Sequence, residues 1–92
     1  MPNKIEVEKV DASHFQVRVT EGGSESSHDV TLDPKDYAKL AGGAVCPEEL
    51  IRKSFEFLLE QEPKESILSS FNLSVIAHFF PKYEKEIRKR LP

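Results

Sequence analysis

The hydrophobic period changes once along the chain, at Asp33-Pro34, and that change limits the folds available to it. Before it, apolar residues recur at every second position. Ile5 and Val7 alternate with Glu6 and Glu8; Phe15, Val17 and Val19 alternate with Gln16, Arg18 and Thr20; Val30 and Leu32 flank Thr31. Successive side chains of a strand point to opposite faces, so each run reads as a strand with one apolar and one wet face. Asp11–His14 is a short break. Glu21–Glu25 is a second, with paired glycines that tolerate positive φ. The pattern predicts a three-stranded antiparallel β-meander over about residues 4–32.

The register follows from the requirement that facing residues share a face. A second turn centred on Gly22 and Gly23 sets Phe15 against Val30 and Val17 against His28. A first turn centred on Ala12 sets Val7 against Val17 and Ile5 against Val19. One face then collects Ile5, Val7, Phe15, Val17, Val19, His28, Val30 and Leu32. The other collects Glu6, Glu8, Gln16, Arg18, Thr20, Asp29 and Thr31, a solvated side that an antiparallel sheet allows.

After the change the period is helical. Asp33 is an N-cap residue with Pro34 at the first helical position. Tyr37, Leu40 and Ala41 form an apolar stripe, and Gly42-Gly43 stops it. Cys46 takes the cap position before Pro47-Glu48-Glu49. Leu50, Ile51, Ser54, Phe55, Phe57, Leu58 and Leu59 then recur at helical spacing. Pro63 ends this helix or kinks it into a shorter one carrying Ile67, Leu68 and Phe71. Asn72 caps a helix over 73–80, Pro81 breaks it, and Tyr83, Ile87 and Leu91 continue as an amphipathic tail. The expected fold is α+β, one domain over residues 1–92, with three to five helices covering the apolar sheet face. At 92 residues such a domain buries roughly 60–65% of its unfolded surface, enough to fold without staples.

Composition narrows the chemistry. The single cysteine excludes an internal disulfide and a multi-cysteine zinc site, and fits a reducing compartment. The longest apolar run, Leu73–Phe80, is far short of the ~20 residues that span a bilayer. Residues 1–8 lack the apolar core of a signal peptide. A cytoplasmic protein without membrane contact is expected. The net charge is -3, but residues 82–92 carry +3 and the remainder -6.

No constellation for catalysis emerges. Cys46 at a helix N-terminus faces the positive end of the macrodipole, which favours a thiolate. A thiol nucleophile also needs a base, and His14, His28 and His78 all lie far from it in sequence. The same four residues have no metal-ligand spacing. Glu48 and Glu49 are first-turn residues suited to the helix dipole, and Glu60, Glu62 and Glu65 flank a helix end. Neither glycine pair belongs to a phosphate-cradling loop. No catalytic residue, cofactor or metal site is therefore expected, and the chain is not read as an enzyme.

Two features point outward. Lys82, Lys85, Arg88, Lys89 and Arg90 make a basic end, which complements a helix C-terminus through Glu84–Arg88 and Glu86–Arg90 spacing or meets an acidic partner. Phe71, Phe79, Phe80 and Tyr83 concentrate aromatics in the last third, more than a small core readily buries.

Two resemblances bear on function. The order of a strand over 27–32, a short helix, a turn and a longer helix resembles ribbon-helix-helix proteins, whose paired strands read the DNA major groove. Here Asp29 lies on the reading face, which has no Lys or Arg, so nucleic acid is a disfavoured partner. The segments His28-Asp-Val-Thr-Leu32, Tyr37-Ala-Lys-Leu40, Pro47-Glu-Glu-Leu50, Ser54-Phe-Glu-Phe-Leu-Leu59, Glu62-Pro-Lys-Glu-Ser-Ile-Leu68, Phe71-Asn-Leu-Ser-Val-Ile76 and Phe80-Pro81 resemble a family of small bacterial proteins with no established activity. That resemblance implies a bacterial cytosolic source and supplies no site. The leading expectation is a non-catalytic interaction or regulatory module, contacting a protein partner or itself through the aromatic and basic residues above. The alternatives are a ribbon-helix-helix-like DNA-binding dimer and a thiol-dependent activity at Cys46.

Overall fold

A computed structural model describes residues 4–43 and 45–91. Its elements are β1 (Lys4–Lys9), β2 (His14–Glu21), β3 (Ser24–Thr31), α1 (Pro34–Ala41), α2 (Pro47–Gln61), a 3-10 turn (Lys64–Ser66), β4 (Ser70–Asn72), α3 (Val75–Phe79) and α4 (Tyr83–Arg90). The fold is α+β.

The meander forms in the expected register: Ile5 faces Val19, Val7 faces Val17, Phe15 faces Val30 and Val17 faces His28. The first reversal is held by Asp11, whose Oδ1 accepts from the backbone N–H groups of Ser13 and His14, both at 2.9 Å. The second runs through Gly22 and Gly23 at φ 58° and 84°, a region that side-chain-bearing residues rarely enter. Phe15, Val17, Val19, His28, Val30 and Leu32 are buried on one face, whereas Arg18 and Asp29 are exposed on the other.

Helices α1 and α2 begin where their capping signals stand, whereas α3 starts two residues later than expected, with Ser74 and not Asn72 at its N-cap because Asn72 is taken up by β4. Asp33 and Cys46 are the N-caps of α1 and α2, although neither side chain bonds the helix. Gly42 ends α1 in the left-handed region at φ 57°, its N–H donating to Ala38 O. The face Leu50, Ile51, Ser54, Phe55 and Leu58 of α2 is buried, and the helix packs against β1 and α4. The buried apolar side chains form one contiguous cluster.

The sheet gains a fourth strand that the sequence pattern does not predict. β4 pairs parallel to β3, with Asp29 opposite Ser70, Val30 opposite Phe71 and Thr31 opposite Asn72. Parallel neighbours need a long crossover, which α1 and α2 provide. The helix expected to carry Ile67, Leu68 and Phe71 is thus replaced by one 3-10 turn and a strand. The physical reason is the open edge of β3. Asp29 N–H donates to Ser69 O and Thr31 O accepts from Leu73 N–H, both at 2.8 Å. Those two groups satisfy the passing backbone better than one more unsupported helical turn would. His28 accordingly lies in an interior strand, between β2 and β4.

Candidate functional site

An apolar cleft of about 330 Å³ opens where the end of α2, the 3-10 turn, β4 and α3 meet. Each wall has a local cause. Pro63 has no N–H to continue α2, so the chain leaves the helix beside Leu58 and Glu62. The 3-10 turn delivers Ser66, Ile67 and Leu68, and β4 then carries Phe71 to the cleft. Asn72 Oδ1 accepts from the N–H and hydroxyl of Ser74 at 3.0 and 2.9 Å, which reverses the chain into α3. Helix α3 presents Val75, Ile76 and Phe79, and stops at Phe80 because the residue before Pro81 is forced into extended backbone.

His28 anchors this wall from inside the sheet. It is 2% exposed, and its ring lies 5.4 Å from that of Phe55. Its Nδ1 stands 2.8 Å from Leu68 O, and its Nε2 stands 2.9 Å from Ser26 Oγ. A carbonyl only accepts, so Nδ1 carries the proton and donates. The cleft wall is therefore fastened to β3 by a side chain as well as by the strand ladder. Beside it, in the 3-10 turn, the buried Lys64 side chain is paired with Glu65, whose carboxyl it holds below the ordinary carboxylate value.

The lips of the cleft are apolar and open. Phe79 is 65% exposed and Leu68 50%, while Phe71 and Phe80 are half-buried. The only acidic side chain lining the cleft is Glu62, half-buried and in no ion pair among the described residues. An apolar hollow with one uncompensated carboxylate at its rim suits an apolar group that carries a cation.

The four aromatics singled out from sequence separate here. Phe71, Phe79 and Phe80 line the cleft, but Tyr83 belongs to the core at 0% exposure and is no part of a surface. Its hydroxyl stands 2.7 Å from Ser54 Oγ. Ser54 gives its own proton to Leu50 O at 2.8 Å, so Tyr83 is the donor. Burial pushes the Tyr83 phenol up to about 12. A polar partner on α2 is what allows a tyrosine to be drawn inside.

The basic end also rearranges. Arg90 does not pair with Glu86; it binds Glu60 of α2 through two hydrogen bonds at 2.8 and 2.7 Å, with its guanidinium 5.8 Å from the Phe57 ring centre. Glu84 meets Lys39 at 3.2 Å instead of Arg88, and Lys89 reaches Glu86 at 3.7 Å. The tail helix is pinned by the tertiary pairs Arg90–Glu60 and Lys39–Glu84, and along its own face the i,i+3 pair Glu86–Lys89 stands in place of the expected i,i+4 ones. Lys82, Lys85 and Arg88 are exposed, with no ion pair among the described residues.

The remaining candidates are not brought together. Cys46 is exposed, and none of the hydrogen bonds among the described residues links it to a histidine. His14 binds Asp11, His28 is engaged as above, and His78 lies exposed on α3. No group of three or more metal-ligating side chains occurs among the described residues. Strand β3, which a ribbon-helix-helix dimer would pair with its copy, is hydrogen-bonded to β2 on one edge and β4 on the other. The pairing with β4 covers Asp29–Thr31, within the segment that the resemblance would pair with a second copy. No helix among the described residues is long and apolar enough to cross a membrane. No protein-family model, curated protein or solved structure matches the chain. The likeness to a family of small bacterial proteins therefore rests on the quoted segments alone.

Proposed function

We propose that the protein is a non-catalytic interaction module whose cleft receives an apolar segment of a partner protein. The observation that carries this reading is the pair of large apolar side chains, Phe79 and Leu68, left open at the lips of an apolar hollow. Exposed side chains of this kind are unremarkable when scattered; gathered around a concavity they favour binding. The volume suits one or two anchoring side chains, and Glu62 selects a segment with a Lys or Arg next to the anchors. The protein acts in this reading by holding a partner, and the cell interior is its proposed location.

A peptide library displayed on phage, panned on the purified chain, tests the reading. Selected peptides are expected to combine Leu, Phe or Met anchors with a basic residue. Phe79→Ala should weaken their binding by roughly 10- to 30-fold, as loss of a hot-spot aromatic does. Glu62→Gln should weaken only the basic peptides. Failure to select any peptide, or equal binding to Phe79→Ala, overturns it.

A further inference from the structure

We infer that β1 is the contact strand of a two-fold symmetric dimer of this chain, on a surface separate from the cleft. β1 is an edge of the sheet. Val10 N–H donates to His14 O, and alternate residues of β1 from there (Glu8, Glu6 and Lys4) direct their backbone groups toward β2. The bond from Leu32 N–H to Ser13 O gives the same alternation in β2, whose even-numbered residues face β1. Ile5, Val7 and Lys9 therefore turn their N–H and C=O groups outward, where a further strand would meet them.

The occupant is read from charge order. A copy of β1 laid antiparallel, with its apolar face on the same side, pairs residues of the same parity. Centred on Glu6, it sets Lys4 against Glu8 of the second copy twice and Ile5 against Val7 twice. Only Glu6 meets its own like charge. A groove of about 560 Å³ between β1 and α2 repeats the pattern. Along α2 it bears Arg52, then Glu56 and Glu60, so an antiparallel copy directs each Arg52 toward the acidic end of the other helix. Arg52 is exposed and makes no ion pair among the described residues. Ile5, Val7 and Leu59, half-buried at this edge, are the apolar side chains the second copy covers. Charges along an edge strand ordinarily discourage strand addition. Here their order discourages a parallel or unrelated strand and admits an isologous one.

Sedimentation velocity and light scattering of the intact chain from about 5 to 200 µM provide the test. The expected species at high concentration has twice the 10.5 kDa chain mass. The Ile5 and Val7 amides should exchange more slowly as concentration rises. Val7→Pro removes an N–H that bonds nothing within the chain, and should give a monomer. Lys4→Glu, at an exposed site, should weaken association roughly tenfold, and adding Glu8→Lys should restore it. These charge variants decide the matter if Val7→Pro does not fold. A monomer throughout, a dimer indifferent to both kinds of variant, or one dissociated instead by Phe79→Ala would overturn the inference.

Discussion

Tyr83 and Ser54 meet through a 2.7 Å hydrogen bond inside the core, a buried polar link between the last helix and the longest one. Its two ends are unequal. Tyr83→Phe leaves Ser54 bonded to Leu50 O and should cost about 0.5–1.5 kcal/mol. Ser54→Ala strands a buried phenolic hydroxyl and should cost about 1–3 kcal/mol. The double variant should cost less than the sum. Urea melts of the four proteins measure the coupling, and strict additivity would refute it.

The same phenol makes the fold sensitive to alkali. Burial raises Tyr83 from 10.0 to about 12, with Glu84 and Asp36 adding to the effect and the Ser54 hydrogen bond opposing it. A group raised on folding contributes fully below its unfolded value and loses that contribution as pH rises through its folded one. Stability on the order of 2–3 kcal/mol should therefore disappear between pH 10 and 12. The difference between wild type and Tyr83→Phe isolates this from lysine titration. Parallel pH profiles for the two would exclude it.

Glu60 and Arg90 predict the opposite limb. The Arg90 hydrogen bonds hold the Glu60 carboxyl below its ordinary 4.5, against a smaller desolvation effect. A lowered carboxyl stabilises the fold above its unfolded value and ceases to as pH falls through its folded one. Because Glu60 is 55% exposed, the pair should contribute only about 0.2–1 kcal/mol at neutral pH. Glu60→Gln should destabilise by that amount at pH 7, and the difference from wild type should shrink as pH falls below the ordinary carboxylate value. Arg90→Ala should cost more than Glu60→Gln, since it also uncovers Phe57.

His28 should control the order of the cleft wall. His28→Phe preserves the ring against Phe55 but leaves Leu68 O without its donor, at about 1–3 kcal/mol. Hydrogen exchange should quicken at the Asp29 and Leu73 amides, which bond β3 to the β4 segment, while the β1–β2 amides keep their relative protection. Uniform quickening throughout the sheet would show that His28 supports the fold alone.

The meander and the helix starts were legible in the residues because their determinants are local. A period of two, two short turns and the need to keep one face dry leave a single register for β1, β2 and β3. Asp33-Pro34 and Cys46-Pro47 announce helices through backbone geometry that each proline carries by itself. The cleft was legible only in part: aromatic enrichment drew attention to Phe71, Phe79 and Phe80, and equally to Tyr83.

What tertiary structure alone decided are the contacts between distant segments. Ser70-Phe71-Asn72 is too short to display a period, and it became a strand because β3 offered unpaired groups to a backbone some forty residues further on. Tyr83 went inside and Phe79 stayed out because Ser54 of α2 supplied a buried acceptor to the first and nothing covered the second. Arg90 chose Glu60, thirty positions away, over the nearer Glu86 because docking of α4 on α2 brought a fork and a carboxylate face to face. Local periodicity fixes which face of an element is apolar. Which elements share that face depends on the packing of the whole chain.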